Sequence, residues 1–261
     1  METLDLVLDQ PKNPAGAPAP AVAALSADVA SRLGSPAFRR EYGLRYAYLT
    51  GSMYRGIASK EIVIAMGRAG MLGFLGTGGL SIERIGQDIS AIETALDQGQ
   101  AWGANLIANL HDPAMEMSTV RLYIERQVRT IEASAFMQIT PALVVYRAHG
   151  VERAADGRVR CRNRLIAKLS RPEVARAFMS PAPERLLTRL LAEGAITAAQ
   201  ADMLRQIPMA TDLCVEADSG GHWPCSAAFS GCGTKWASSP RRCASGWPAA
   251  SARPRQWPRA S

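Results

Sequence analysis

Residues 218–222 (D-S-G-G-H) place an acid, a hydroxyl, two glycines and an imidazole in one short segment. An unperturbed imidazole titrates near neutral pH, which suits His222 to proton transfer. The paired glycines Gly220 and Gly221 let the backbone turn sharply and approach a ligand where a Cβ would clash. The segment therefore predicts a site for proton transfer beside a closely held ligand. For an isolated G-G-H, a surface turn with an incidental histidine would be the better interpretation.

The residues just before this group read as a strand, and the chain repeats that arrangement. Residues 213–217 alternate β-formers with small residues, as a short buried strand does. The six predicted strands cover residues 45–50, 71–75, 102–108, 130–136, 165–170 and 213–217. A helix is predicted to begin at Ser59, which serves as its N-cap, and another at Ser81, where apolar residues recur at helical spacing. A third is predicted to begin at Asp112, with Pro113 at an early position. Strand, helix, strand at this spacing predicts βαβ units, a parallel sheet and an α/β fold.

Three helices are predicted between the fifth and sixth strands, at residues 171–179, 183–193 and 197–206. A plain βα unit needs one helix, so we interpret the region at about 171–209 as a helical insertion. Six strands fall short of a closed (β/α)8 barrel, which needs eight. The fold expected from the pattern is an incomplete TIM barrel.

Glycine or polar residues fall at the predicted carboxyl ends of all six strands. With Met53 and Ala217 beside them, the candidate site residues are Gly51, Ser52, Met53, Gly76, Thr77, Gly78, Asn105, Glu132, Lys168, Glu216, Ala217, Ser219, Gly220, Gly221 and His222. A barrel gathers such ends at one mouth, where ligands bind. A flavin suits this layout, because its ring needs close backbone and its phosphate needs N–H donors at a glycine loop or helix N-terminus. Taken singly, each residue has an ordinary structural explanation as a loop, cap, core or solvated residue. Their occurrence at six successive strand ends favours a binding site.

Composition divides the chain into three parts: a flexible Ala/Pro-rich lead-in at 1–35, a folded region at 36–222 and a tail at 223–261. The tail carries six basic residues and no acids, so nearly all of the net charge of +7 lies there, and a nucleic-acid partner is not predicted. No apolar run is long enough to span a bilayer, and no signal peptide is evident. The cysteines lack metal-ligand spacing, so no metal site is predicted, and their usage indicates a reduced, cytoplasmic protein.

Several long segments between Leu33 and His222 carry a family resemblance, and they occur in the same order. They are L-G-S-P-A-F-R-R-E-Y-G-L-R-Y-A-Y, G-S-M-Y-R-G-I-A-S, G-R-A-G-M-L-G-F-L-G-T-G-G-L, E-A-S-A-F-M-Q-I-T-P-A-L-V, A-K-L-S-R-P-E-V-A, F-M-S-P-A-P-E-R and C-V-E-A-D-S-G-G-H. The chain resembles the PfaD-type trans-acting enoyl reductases of polyketide and polyunsaturated fatty acid synthesis, which are relatives of nitronate monooxygenase (2-nitropropane dioxygenase).

This resemblance implies an FMN-binding TIM barrel that uses NADPH to reduce an enoyl thioester presented on an acyl carrier protein. In such an enzyme the flavin N5 passes hydride to the β-carbon and an acid of the site protonates the α-carbon. His222 is our candidate for that acid or for a group that orients the ring; packing against the ring or fixing the loop is an equal alternative. The other residues at the strand ends are the expected cofactor contacts.

The resemblance stops at His222. The family continues with T-D-N-R-P-L and two more strands, one ending in a G-G-I-G loop that holds the FMN phosphate. Here the tail contains no Leu, Ile, Val or Tyr but four of the five tryptophans, a composition typical of disorder. Read one base earlier, with synonymous codons assumed, the tail gives a helix, the strand L-R-V-G-L-A and a G-G-I-G loop. We therefore expect a frameshift directly after the His222 codon.

These observations leave three readings of the function. The leading one is an FMN-dependent enoyl reductase by descent that is inactive as truncated. The second is nitronate oxidation with the same flavin. The third is a flavin-free remnant that binds a carrier or acyltransferase partner.

Overall fold

The computed structural model of the protein describes residues 27–215. In this range the helices are α1 (Ala27–Arg32), α2 (Pro36–Tyr42), α3 (Lys60–Arg68), α4 (Ile82–Ala95), α5 (Pro113–Glu125), α6 (Pro141–Ala148), α7 (Pro172–Met179), α8 (Glu184–Ala192) and α9 (Ala198–Leu204). The strands are β1 (Leu49–Thr50), β2 (Leu72–Leu75), β3 (Gly103–Ile107), β4 (Thr130–Ser134), β5 (Val151–Arg153), β6 (Val159–Cys161), β7 (Arg164–Leu169) and β8 (Asp212–Val215). The predicted α/β alternation is confirmed, including all three helices between the fifth and sixth predicted strands.

Six of these strands form one sheet in the order β1-β2-β3-β4-β7-β8, and every pairing in it is parallel. They are the six strands that the sequence predicts. Three of them (β2, β3 and β4) are shorter by one or two residues at an end, β1 begins four residues later than predicted, and β7 and β8 each begin one residue earlier. The remaining two, β5 and β6, pair antiparallel as a separate hairpin. Its turn contains Asp156-Gly157, with Gly157 at a φ of 77°. This hairpin and the helices α2 and α6 were not predicted.

Local capping explains where several helices begin. The Ser81 side chain accepts from the N–H of Arg84, and the Asp112 side chain accepts from the N–H of Met115. Thr197 opens α9 with a reciprocal capping box. Ser59 precedes α3 as predicted, but its side chain makes no cap hydrogen bond.

The two faces of the sheet bury different layers. One face packs against the helices through a large apolar core that includes Ile131 and Ala133 of β4. The opposite face holds a smaller cluster in which α2 packs against β2 and β7. This inner cluster consists of Phe38, Tyr42, Leu44, Leu72, Phe74 and Ile166. Because side chains alternate along a strand, residues next to the outer core positions face this inner side.

The sheet is curled rather than flat. Strands three places apart in a flat sheet lie about 14 Å from each other. Yet Ser52, just after β1, donates its backbone N–H to the Glu132 carboxylate of β4 at 3.0 Å. Only a strongly curved sheet brings these residues into contact across its inner face. The described chain is therefore an α/β protein with a parallel, half-barrel sheet.

The helices within residues 27–215 are all too short or too polar to cross a bilayer.

Candidate functional site

The inner face of the half-barrel carries a row of polar residues in the middle and toward the carboxyl ends of the strands. Asn105 pairs in register with Glu132, and Ser134 pairs with Lys168. All four lie on the face opposite the helices, because their strand neighbours belong to the outer core. Asn105 and Glu132 occupy the third of five positions in their strands. The prediction that these two lie at strand ends is therefore wrong; inward alternation, and not the strand end, places them together.

Glu132 is the centre of this row and is 1% exposed. Its Oε2 accepts from the backbone N–H of Ser52 at 3.0 Å and also from the Ser52 hydroxyl. The Asn105 amide lies 3.4 Å from the same oxygen. A Cβ on Gly51 would lie 3.2 Å from Oε1, so a small residue is favoured there. Glu132 thus ties the loop after β1 to the inner side of β4.

Asn105 is held by a second set of hydrogen bonds. Its side-chain nitrogen donates to the Ser134 hydroxyl at 2.8 Å and to the Glu132 carbonyl oxygen at 3.1 Å. The backbone carbonyl of Asn105 accepts from the Thr77 hydroxyl at 2.7 Å and from the Tyr123 hydroxyl. Burial raises the pKa of Tyr123, which keeps this hydroxyl a donor. The amide orientation is therefore fixed before any ligand arrives.

The loops after β1 and β2 interlock. Gly76 donates its N–H to the Ala58 carbonyl at 2.8 Å, and Arg55 donates its N–H to the Gly78 carbonyl at 2.8 Å. A Cβ built on Gly76 would overlap the Met53 carbonyl oxygen. The need for glycine at position 76 is thus explained by packing of one loop on the other. Met53 is 46% exposed, so it is not a core residue.

Lys168 of β7 pairs in register with Ser134 of β4 on one side and with Cys214 of β8 on the other. Its side chain is half-buried. This position gives the polar row a cation near the carboxyl end of β7. The Glu132 carboxylate and the Lys168 ammonium therefore occupy neighbouring strands on one concave surface.

Sequence reasoning missed Ser134, Tyr123 and Glu116. Glu116 is buried and accepts from the Thr140 hydroxyl and from the N–H of Asn109, the latter at 3.2 Å. Burial raises the pKa of Glu116. Through these bonds it joins the loops that follow β3 and β4. The sequence signal that could have identified Glu116 is its position in the first turn of the helix that follows a predicted strand.

Six predicted site residues lie outside the described range: Glu216, Ala217, Ser219, Gly220, Gly221 and His222. Their predicted roles remain predictions. The other nine lie at the carboxyl half of the sheet. Of these, Ser52, Thr77, Asn105 and Glu132 are joined directly or through one another by hydrogen bonds.

An α/β half-barrel with a concave polar face is the class of structure that these observations define. The chain is 55% identical over 201 residues to the polyketide biosynthesis protein PksE of Bacillus subtilis, covering 77% of this chain and 26% of that protein. It is 47% identical over 191 residues to the polyketide biosynthesis protein ThaF of Burkholderia thailandensis, covering 73% of this chain and 16% of that protein. It is also 47% identical over 190 residues to a polyunsaturated fatty acid synthase protein of a Thraustochytrium species, covering 73% of this chain and 13% of that protein. No protein-family model matches the chain.

Among solved structures, the chain is similar to the enoyl reductase domain of MlnA, from the macrolactin biosynthesis cluster of Bacillus amyloliquefaciens. The sequences are 45% identical, and the TM-score of 0.73 refers to a match that covers 76% of this chain and 45% of that domain. The chain therefore spans about a quarter or less of the three curated relatives and less than half of the solved domain.

Proposed function

We propose that the chain is part of an FMN-dependent enoyl reductase that uses NADPH to reduce enoyl thioesters on an acyl carrier protein, in polyketide or polyunsaturated fatty acid biosynthesis. The similarity to the MlnA enoyl reductase domain carries this proposal, since it extends over three quarters of the chain at 45% identity. The relatives named above support the biosynthetic setting.

The inner face fits the ring of a flavin. The Asn105 amide nitrogen is already bonded within the protein, so its side-chain oxygen is the atom left to accept from a ligand. Lys168 offers a cation one strand away from Ser134.

Bound FMN would supply hydride transfer to the enoyl β-carbon. The protein's part is to hold the ring and the thioester in place. Glu132 and Asn105 would do so by fixing the Ser52 backbone and the amide oxygen on one rigid surface. His222 stays the proposed proton donor, and the remaining strand-end residues stay the proposed contacts.

We further propose that the chain as written binds FMN weakly or not at all. By resemblance the phosphate is held by a G-G-I-G loop, and this tail contains no such sequence. Residues 27–215 also leave β1 and β8 as open edges of the sheet, where a closed barrel would continue pairing.

The test compares the 261-residue chain with a version whose gene is restored to the alternative frame after the His222 codon. Flavin is released from each purified protein by denaturation and measured by fluorescence against protein concentration. We expect stoichiometric FMN, and NADPH oxidation that depends on a crotonyl-loaded carrier protein, in the restored version alone. Stoichiometric flavin in the chain as written would refute the truncation proposal. Oxygen uptake on a nitronate, without crotonyl-dependent NADPH oxidation, would instead assign nitronate oxidation.

A further inference from the structure

A second cavity lies at the opposite end of the half-barrel from the proposed flavin site. Its volume is about 550 Å³, and it is bounded by α2, the β5–β6 hairpin and the first residues of β7 and β8. Arg164 and Asp212 are the first residues of those two strands. The cavity therefore opens at the amino ends of the strands, separate from the polar row near their carboxyl ends.

The walls of this cavity are rich in arginine, and most of the arginines have an acidic partner. Arg164 pairs with Glu41 at 2.9 Å, Arg162 with Glu152 at 3.0 Å, and Arg160 with Asp156 at 3.4 Å. Within each pair the carboxylate offsets the positive charge of its arginine at the rim of the cavity.

Arg147 differs from the other three. It is 3% exposed, and no carboxylate within residues 27–215 forms an ion pair with it. Its Nη1 donates to the Asn163 carbonyl at 2.6 Å and to the Thr211 hydroxyl at 3.2 Å, and its Nη2 donates to the Pro208 carbonyl at 3.0 Å. The Nε–H has no hydrogen-bond partner among the described residues. A buried guanidinium with neutral partners and one idle donor is costly, because charges taken out of water need compensation.

Thr211 adds a second donor beside Arg147. Its oxygen accepts from Arg147 Nη1 at 3.2 Å and from the N–H of Leu165 at 3.2 Å. With both acceptor positions used, its O–H hydrogen is left to donate. Both residues line the cavity. Asp212, the next residue, has a pKa raised by burial to about 7, so near neutral pH it opposes an incoming anion less than an ordinary aspartate would.

We propose that this cavity binds a small oxyanion, the carboxylate or phosphate group of a free metabolite. The Arg147 guanidinium, whose charge has no carboxylate partner within residues 27–215, and the Thr211 hydroxyl hold it. A guanidinium presents donors in a planar fork that matches such groups. The site is independent of the flavin site and of the enoyl reductase proposal.

The primary test is calorimetric titration of the 261-residue protein with inorganic phosphate and, separately, with succinate at neutral pH. Sodium chloride at equal ionic strength is the control. We expect saturable binding with a dissociation constant of about 1 mM or tighter for at least one probe. The probe that binds more tightly shows whether the cavity prefers a phosphate or a carboxylate. Heats that match those of chloride for both probes would overturn the proposal.

Variants then locate the binding. Arg147→Lys keeps the charge but removes the Nε–H and the fork, and we expect the affinity to fall about tenfold or more. Thr211→Val should weaken binding, whereas Thr211→Ser should retain it. Arg189→Gln, which changes an exposed arginine of α8 that is paired with Glu193 and does not line the cavity, should leave the affinity within about twofold. Loss of binding in Arg189→Gln but not in Arg147→Lys would contradict the assigned site.

Discussion

Two buried carboxylates on the inner face of the sheet have different surroundings. Glu132 and Asp212 are both in register with Ile166, one on each side of it. The Glu132 carboxylate has three donors near one oxygen: the N–H and hydroxyl of Ser52 and the amide of Asn105. Asp212 accepts from the Tyr42 hydroxyl at 2.8 Å. Two buried acids in register with the same residue therefore have different hydrogen-bond partners and different roles.

The difference follows from what surrounds each carboxyl group. Glu132 accepts from the N–H and the hydroxyl of Ser52 and so fastens the loop after β1. Asp212 meets the apolar cluster formed with α2, and burial raises its pKa from 3.8 to about 7. We infer that the first acid organises the proposed site and the second responds to pH.

The largest effect is expected where the carboxyl-end loops interlock. Gly76→Ala would drive a Cβ into the Met53 carbonyl, so we expect the free energy of unfolding to fall by about 3 kcal/mol or more. Urea denaturation measures it. Gly86→Ala, on α4 with only the Leu122 side chain nearby, is the matched control and should be neutral or slightly stabilising. Equal stability of both variants would show that the two loops are not tightly packed.

Removing the Glu132 carboxylate should have the next largest effect. Glu132→Ala removes the acceptor of both the N–H and the hydroxyl of Ser52, and we expect a loss of about 2–4 kcal/mol in unfolding free energy. Glu132→Gln keeps one acceptor oxygen, so its unfolding free energy should fall by about half as much. Glu173→Gln, at an exposed position on α7, serves as the control. An unchanged denaturation midpoint in Glu132→Ala would contradict the linking role of this residue.

Asp212 should make stability depend on pH. Because its pKa is raised on folding, the stability from its protonated form is fully present below about pH 4 and is lost as the pH rises through about 7. Between about pH 5 and pH 8, this group should lower the unfolding free energy by about 2–3 kcal/mol. Asp212→Asn should flatten that decline in denaturation curves recorded across the range. A decline of the same size in the variant would assign the effect to other groups.

Tyr42→Phe should give the smallest change and tests the same pair. The Tyr42 hydroxyl stabilises the ionised Asp212, so its removal should move the midpoint of the pH-dependent decline upward. The loss of unfolding free energy should be about 1 kcal/mol at high pH and smaller at low pH. A midpoint that moves downward would show that the hydroxyl does not act on the carboxylate.

Much of the fold could be predicted from local patterns. Each of the six sheet strands combines a short apolar run with flanking turn residues, and the caps at Ser81, Asp112 and Thr197 mark helix starts. The β5–β6 hairpin was missed although D-G between two β-rich runs is a hairpin signal. Helix α6 was missed for a physical reason: every residue from Ala142 to Ala148 is buried, so the helix shows no polar face.

The candidate site was predictable only in part. Asn105, Glu132 and Lys168 were identified as polar residues at predicted strand carboxyl ends. The structure places all three on one concave face, although Asn105 and Glu132 lie in the middle of their strands. Their partners Ser134 and Tyr123 were not identified, since a serine in a strand and a tyrosine in a helix carry no distinctive local signal.

The sequence by itself determined the order and type of the six sheet strands and of most helices, because periodicity, caps and turns act over a few residues. Only the tertiary structure decided that the sheet curls enough to bring Ser52 onto Glu132, and that Arg147 lies beside Thr211 without an acidic partner among residues 27–215. Both contacts join residues more than sixty positions apart. Such pairs depend on sheet twist and helix packing summed over the whole fold, and no local pattern encodes that sum.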